Sequence, residues 1–337
     1  MFRPILLTFV VTCADGRQGV VVNEADAFCF REYSWIGDVR SFRYPASIVE
    51  GNHVAVDLLV ELLMDLDLER CAIGIEKTYL PAEYFHRLQA KLASARLIEC
   101  TDIFEATRLI KTEGEIEIMR HACRYADESI YAAFSTAEPF TSEKTVATQM
   151  QSAVLRFGAD GLAQADVHSG VHSTVVHALA SNKSLEPGEV VHVDFGAIFG
   201  GYRTDLARNA IVGKATARQA EIYGGLCEIQ REILKLLVPG AAAADVFAAG
   251  MRAFDERGLV HPWGTLGHSI GLSIHEGFEL SRNSERSLAS GMIVNIEPSH
   301  IEPDDARYHI EDSVLITSWG PEVLSNCIDT GEMFAIT

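Results

Sequence analysis

Four acids in this chain occupy positions where carboxylates are rare. Asp194 lies inside an apolar run formed by Val191, Val193, Phe195 and Ala197, and Asp205 follows it across the turn signal Gly200-Gly201. Glu297 ends the apolar run Met292–Ile296 just before Pro298, and Glu311 stands between Ile310 and the β-type run Ser313–Thr317. A carboxylate in such a setting is costly to bury unless something compensates its charge. A hairpin centred between Phe199 and Gly200 would set Asp194 directly opposite Asp205 on one face. Like charges so placed destabilise a hairpin, and a divalent cation relieves them. The plainer reading, an exposed acidic hairpin, conflicts with the apolar neighbours of Asp194. Two histidines, His268 and His275, follow a glycine-rich approach at Gly264 and Gly267. On an extended strand they would point to opposite faces, so one is expected to bind metal and the other to face a substrate. Four acids and one histidine make an oxygen-rich ligand set. It suits Mn²⁺, Fe²⁺ or Co²⁺, with Zn²⁺ also accommodated, better than a thiolate zinc site does.

The elements that must hold these residues are legible from periodicity. The first hundred or so residues mix short strands and helices: a strand from Ile5 to Cys13, a turn at Ala14-Asp15-Gly16, a partner strand from Gln18 to Asn23, a helix over Leu58–Leu68, a buried strand over Ala72–Ile75 and a helix over Ala82–Ala93. Thr112 and Glu115 have capping-box spacing, and Ile116, Met119, Cys123, Ala126 and Ile130 recur behind them at helical intervals. The domain boundary is placed there, giving residues 1–111 and 112–337. Further helices are expected over Ser142–Phe157, Ala217–Leu237 and Ala244–Arg257, with β-type runs at Val190–Ala197, Thr204–Val212, Met292–Glu297 and His309–Thr317. The larger domain therefore reads as α+β around a largely antiparallel sheet, and the smaller as α/β.

Composition narrows the function classes. The chain has 337 residues, 28 Lys or Arg against 47 Asp or Glu, and a formal net charge of −19. A surface this acidic repels phosphate backbones and anionic lipid, so no nucleic-acid or membrane partner is expected. No apolar run reaches the roughly 18 residues needed to span a bilayer. The seven cysteines are scattered, with no CxxC pair, which fits a reducing compartment and a cytoplasmic protein.

Taken together, these segments resemble metallopeptidase family M24, the pita-bread peptidases, over about residues 105 to 320. The segment Ile110–Ile118, the Asp194-Phe195-Gly196-Ala197 hairpin with Tyr202 and Asp205, the run Gly267–Glu276, the pair Glu297-Pro298 and the final Ile310-Glu311-Asp312 carry the resemblance. It implies a pita-bread catalytic domain behind a smaller creatinase-like N-terminal domain. It implies two divalent metal ions, Mn²⁺ first: Asp194 on one, His268 and Glu297 on the other, Asp205 and Glu311 bridging. It also implies substrate-side histidines at His177 and His275. The activity implied is hydrolysis of the N-terminal bond of Xaa-Pro dipeptides or short peptides by a metal-bridged hydroxide. Glu297 would relay the proton and His177 and His275 would stabilise the oxyanion, in a homodimer.

Three departures from the family pattern stand out. Ser299 follows Glu297-Pro298 where many relatives have glycine. His309 occupies the place of an arginine two residues before the last ligand, which makes it a substrate-side position to follow. Arg282 and Arg286 are the remaining anchors for a substrate carboxylate. The chain also begins abruptly at Phe2-Arg3-Pro4, as a truncated or misassigned start would. The alternatives are a creatinase-like C–N hydrolase without metal, a metal-dependent lyase on a small metabolite such as a sulfonium compound, and a non-catalytic binding protein on the same fold.

Overall fold

The computed structural model describes residues 6–43, 47–176 and 178–337, so Phe2–Pro4, Ile5 and His177 lie outside the described residues. These residues form two compact units, divided between Phe104 and Glu105. In the first, β1 (Phe9–Thr12) and β2 (Gln18–Asn23) make the expected hairpin. Asn23 then caps α1 (Glu24–Tyr33), and β3 (Asp38–Phe42) returns parallel to β2. The helix expected over Leu58–Leu68 is α2 (Ile48–Asp65), which starts ten residues earlier. The overlooked signal is Ser47, whose side chain accepts from the Glu50 backbone N–H as an N-cap. Next come β4 (Ala72–Ile75), α3 (Ala82–Lys91) and β5 (Arg96–Glu99). β4 is not the buried strand its apolar residues suggested. Among the described residues it pairs only with β5, and its residues alternate between exposed and half-buried. The core of this unit gathers Val21, Val56, Leu59, Leu63 and Leu88. α4 (Thr101–Leu109) crosses the boundary.

The second unit opens as its sequence demands. Thr112 and Glu115 form the reciprocal capping box at the start of α5 (Glu113–Thr136), and Ser142 caps α6 (Glu143–Arg156). These helices cover a sheet of β6 (Gly161–Ser169), β7 (Val190–Phe199), β8 (Tyr202–Arg203) and β9 (Leu206–Val212). A second helix pair, α7 (Ala217–Leu234) and α8 (Ala243–Glu256), precedes a second sheet. That sheet contains β10 (Thr265–Ser269), β11 (Glu279–Ser281), β12 (Ile293–Ile296), then β15 (Asp312–Thr317) and β16 (Gly320–Val323), all antiparallel. Between β12 and β15 a separate hairpin stands up, β13 (Ser299–Glu302) with β14 (Ala306–His309). β17 (Phe334–Ile336) closes the first sheet, parallel to β9. The unit is therefore α+β, with one core largely under each helix pair.

The two sheets meet at a bridge between Ala207 and Glu311. Beside it lies Arg208, whose guanidinium is 1% exposed. Its Nε donates to Asp127 of α5 at 3.0 Å, and its Nη2 donates to Asp312 of β15 at 2.7 Å. Its Nη1 donates to the carbonyl of Glu311 at 2.6 Å. One cation thus ties a helix of the first half to a strand of the second, with two carboxylates compensating it. Removing only the cation would strand both acids. Arg208→Met is expected to lower unfolding stability by about 3–5 kcal/mol, as buried ion pairs do when one partner is deleted. Chemical denaturation checks this, and a loss under 1 kcal/mol would rule out the clamp role.

Candidate metal centre

The acidic hairpin forms, but in a different register from the one expected. Gly200 and Gly201 both adopt positive φ, 56° and 87°, so they fill the two central positions of the turn. Phe199 therefore pairs with Tyr202, and Asp194 faces Ala207 rather than Asp205. The turn centre had been set half a glycine pair too early. The resulting displacement of two residues keeps the side-chain face, since strand side chains alternate with period two. Asp205 lies one pleat from Asp194, close enough for their carboxyls to hydrogen-bond. The carboxamide nitrogen of Gln164 on β6 donates to both.

The second sheet supplies the rest. At Gly267 a Cβ would fall 1.9 Å from the Asn295 carbonyl, so only glycine lets β10 lie this close to β12. That packing sets His268 opposite Asn295. His268 Nε2 stands 3.7 Å from Asp205 and 3.6 Å from Glu311. Its Nδ1 faces the Ser269 carbonyl at 3.3 Å, which places the proton there and leaves the Nε2 lone pair toward the carboxylates. Asn295 donates to Glu311 Oε1 at 2.8 Å and is held in turn by Ser313 at 2.7 Å. Asp205, His268 and Glu311 form one compact donor group, Glu297, His309 and Glu311 a second, and His192, Asp194 and His309 a third. The four acids and one histidine singled out by sequence are thus brought together. Asp205, His268 and Glu311 are buried, whereas Asp194 and Glu297 keep partial exposure on the open side.

Burial and crowding raise the proton affinity of Asp194, Asp205 and Glu297. Burial, then the neighbouring Glu311, pushes Asp194 up to about 7 and Glu297 up to about 8. Burial, then Glu311 and Asp194, holds Asp205 well above the carboxylate range. Burial pulls His268 down, but the Glu311 carboxylate more than offsets it and its affinity rises. A cluster that must hold protons to tolerate itself is one that cations would relieve, and its donors, oxygen-rich with one free imidazole nitrogen, fit two divalent ions.

His275 does not point away from His268. β10 ends at Ser269 and the chain folds back, with the Glu276 N–H donating to the Ser269 carbonyl at 3.1 Å. The extended-strand premise therefore fails, and the two imidazoles stack with centroids 3.8 Å apart. His275 is exposed over much of its side chain, and partial desolvation of its ring, then the neighbouring His268, lowers its proton affinity. The loop is pinned by a buried pair, Lys111 Nζ to Glu276 Oε1 at 2.9 Å. His309 is buried with its Nε2 3.8 Å from Glu311. Arg282 and Arg286 are exposed.

Sequence reasoning missed Gln164, His192 and Arg307. Gln164, Asp166 and His168 alternate along β6 and face Gly196, Asp194 and His192 on β7. That period-two pattern of polar residues in a strand was the available signal. His192 lies against His309 at 3.2 Å, and Arg307 donates to His309 Nδ1 at 3.0 Å.

The fold and its carboxylate cluster define a metal-dependent hydrolase on the pita-bread scaffold. The model of metallopeptidase family M24 matches residues 117–318, that of the creatinase/prolidase N-terminal domain matches residues 7–110, and the chain belongs to family M24. It is 31% identical to a Xaa-Pro dipeptidase of Pyrococcus horikoshii over 75% of this chain and 73% of that one. It is equally 31% identical to the Xaa-Pro dipeptidase of Pyrococcus furiosus over 80% of this chain and 76% of that one. The solved prolidase from Pyrococcus furiosus superposes with a TM-score of 0.81 at 28% identity, covering 93% of this chain and 88% of that one. No helix among the described residues is long and apolar enough to cross a membrane. Family M24 peptidases work with divalent metal ions.

A proton count tests the crowding. Groups with raised folded-state affinity bind more protons folded than unfolded, so their contribution falls as pH rises. Metal-free protein should lose stability between about pH 4, where unfolded carboxyls titrate, and pH 8. Adding Mn²⁺ should reverse the trend and release protons, seen as a buffer-dependent heat in calorimetry. Metal uptake without proton release would contradict the crowding.

Proposed function

We propose that this protein is a Xaa-Pro dipeptidase whose two divalent cations, Mn²⁺ by preference, are held by Asp194, Asp205, His268, Glu297 and Glu311. The observation that carries the reading is the convergence of four acids and one correctly oriented imidazole, from two sheets, on a partly open face. When bound, the metal pair supplies an activated water and polarises the scissile carbonyl. Glu297, partly exposed among the proposed ligands, takes the water's proton and delivers it to the departing proline nitrogen. His275, kept neutral, offers an N–H to the developing oxyanion, and His177 is assigned the same task. His309 is a third substrate-side donor. Arginine is never an acceptor, so the Arg307 contact fixes a lone pair on His309 Nδ1 and the proton on Nε2, the atom nearer Glu311.

The relatives named as Xaa-Pro dipeptidases support this substrate class, and no feature of the site favours the creatinase-like, lyase or scaffold alternatives. We further take Thr112, with its capping box, as the domain boundary, and place the protein in the cytoplasm, where its seven free cysteines are stable. Exposed Phe28, Tyr33 and Trp35 in the first unit support a homodimer. Sedimentation at about twice the 36.9 kDa chain mass is the expected result, and a monomer would exclude it.

The deciding experiment is metal content in wild type and Asp205→Asn, followed by a peptide panel with Mn²⁺ or Co²⁺. About two ions per chain are expected in the wild type, most of them lost in the variant, with Xaa-Pro cleaved in preference to Xaa-Ala. A wild type that takes up no metal on reconstitution would defeat the reading.

A further inference from the structure

The two cations proposed above do not find equally built places. Asp205, His268 and Glu311 already form a compact buried group, and its imidazole offers a lone pair. Glu297 adds a fourth donor for that ion. The ion assigned to Asp194 has only that residue and the two bridging carboxylates, Asp205 and Glu311. No compact donor group among the described residues holds Asp194 and Asp205 together. The side chain that reaches both of these aspartates is Gln164, whose Nε2 donates to Oδ1 of each.

The backbone is shaped to aim it there. Between β6 and β7, Leu162 pairs with Ala197 and Gln164 with Gly196, so Ala163 is one residue too many and forms a bulge. Bulges re-aim side chains and concentrate beside functional sites. Gly196 keeps the facing position clear: a Cβ there would fall 2.4 Å from the Thr204 carbonyl and 3.4 Å from Gln164 Cγ. Gln164 is half-buried, and its Oε1 accepts from no donor among the described residues.

A carboxamide in this place responds to the charge around it. Facing two aspartates alone, it turns its N–H₂ inward and gives each a donor. A cation held by the same aspartates repels that N–H₂ and attracts the carbonyl oxygen. Nitrogen and oxygen exchange places by a half-turn about the last side-chain bond, which is broad and two-fold. The turn gives up no hydrogen bond except those to the aspartates, whose charge the cation then takes. Amide carbonyls are ordinary ligands of hard cations.

We propose that Gln164 is a ligand of the ion held by Asp194, binding through Oε1 with its carboxamide turned over, and completes a four-residue, oxygen-only set. The inference rests on the proposed two-metal reading and adds a residue outside the four acids and one histidine.

The test titrates metal-free wild type, Gln164→Leu and Gln164→Glu with Mn²⁺ by calorimetry. Wild type should take up about two ions per chain. In Gln164→Leu, which keeps the bulk and lacks the oxygen, one ion should bind at least about tenfold more weakly while the other keeps its affinity. That second, unchanged ion shows that the variant is folded. Gln164→Glu, which restores an oxygen, should hold the affected ion at least as tightly as wild type does. Two Mn²⁺ ions bound with unchanged affinities in Gln164→Leu overturn the assignment. Tighter binding in that variant overturns it as well, since the carboxamide would then compete with the metal. A wild type that takes up no ion defeats the two-metal reading itself, whereas failure of the Gln164 assignment alone leaves wild type with both its ions.

Discussion

The second unit depends on the Arg208 guanidinium lying between Asp127 and Asp312. Each half of the unit has its own helix pair and sheet, and apolar side chains of both also pack together, Ile116, Met119 and Cys123 of α5 against Ile270, Ile293 and Leu315 of the second half. Such packing is non-directional, and Arg208 adds a directional tie. It reaches carboxylates from both halves and also bonds the carbonyl of Glu311, so the clamp is built on the backbone of a proposed metal ligand. Its cost in desolvation is offset because every donor direction finds a buried acceptor. The carboxylate cluster lies beside this seam, where the spacing of the sheets is set to within a hydrogen bond.

Around the cluster, proton positions follow one another in sequence. Arg307 can only donate, so His309 Nδ1 must accept and Nε2 must carry the proton. His192 then donates toward the same Nδ1. On the other side, the Ser269 carbonyl fixes His268 in the opposite sense, with its lone pair on Nε2. The two imidazoles nearest Glu311 therefore differ in role for a local reason: one offers a lone pair and the other a hydrogen. Orientation by neighbouring groups of this kind distinguishes a ligand from a substrate donor when both are histidines.

Much of this was legible in the chain, because it is encoded locally. The capping box at Thr112, the glycine turn at Gly200-Gly201 and acids embedded in apolar strands each declare themselves within a few residues. The hairpin register was misread by two residues because both glycines, not one, occupy the turn. The error moved Asp205 out of direct register with Asp194 but preserved the face, so the two carboxyls still meet. What could not be read were relations set by tertiary neighbours. Gln164 matters because β6 lies beside β7, and Arg307 because β14 folds back on β13 over Ser299. His275 was misplaced for the same reason: a chain reversal after Ser269, invisible to strand periodicity, stacks it on His268. The substitution of His309 for an arginine looked like a lost charge, yet the charge sits one pleat earlier on the same strand face.

The division of the donors between the halves bears on how this unit folds. Asp194 lies on β7 and Asp205 just before β9 of the first sheet, while His268 lies on β10, Glu297 just after β12 and Glu311 just before β15 of the second. Neither half alone carries the whole set, so ions held by all five would favour only the state in which both halves have docked. Such ions would act as a latch that closes last, and they would slow escape from the native state more than they speed its formation. Without them, the seam would be the first place to open. Loading would merge two folding units into one, so the sharpness of unfolding, and not only its midpoint, becomes a property of the metal.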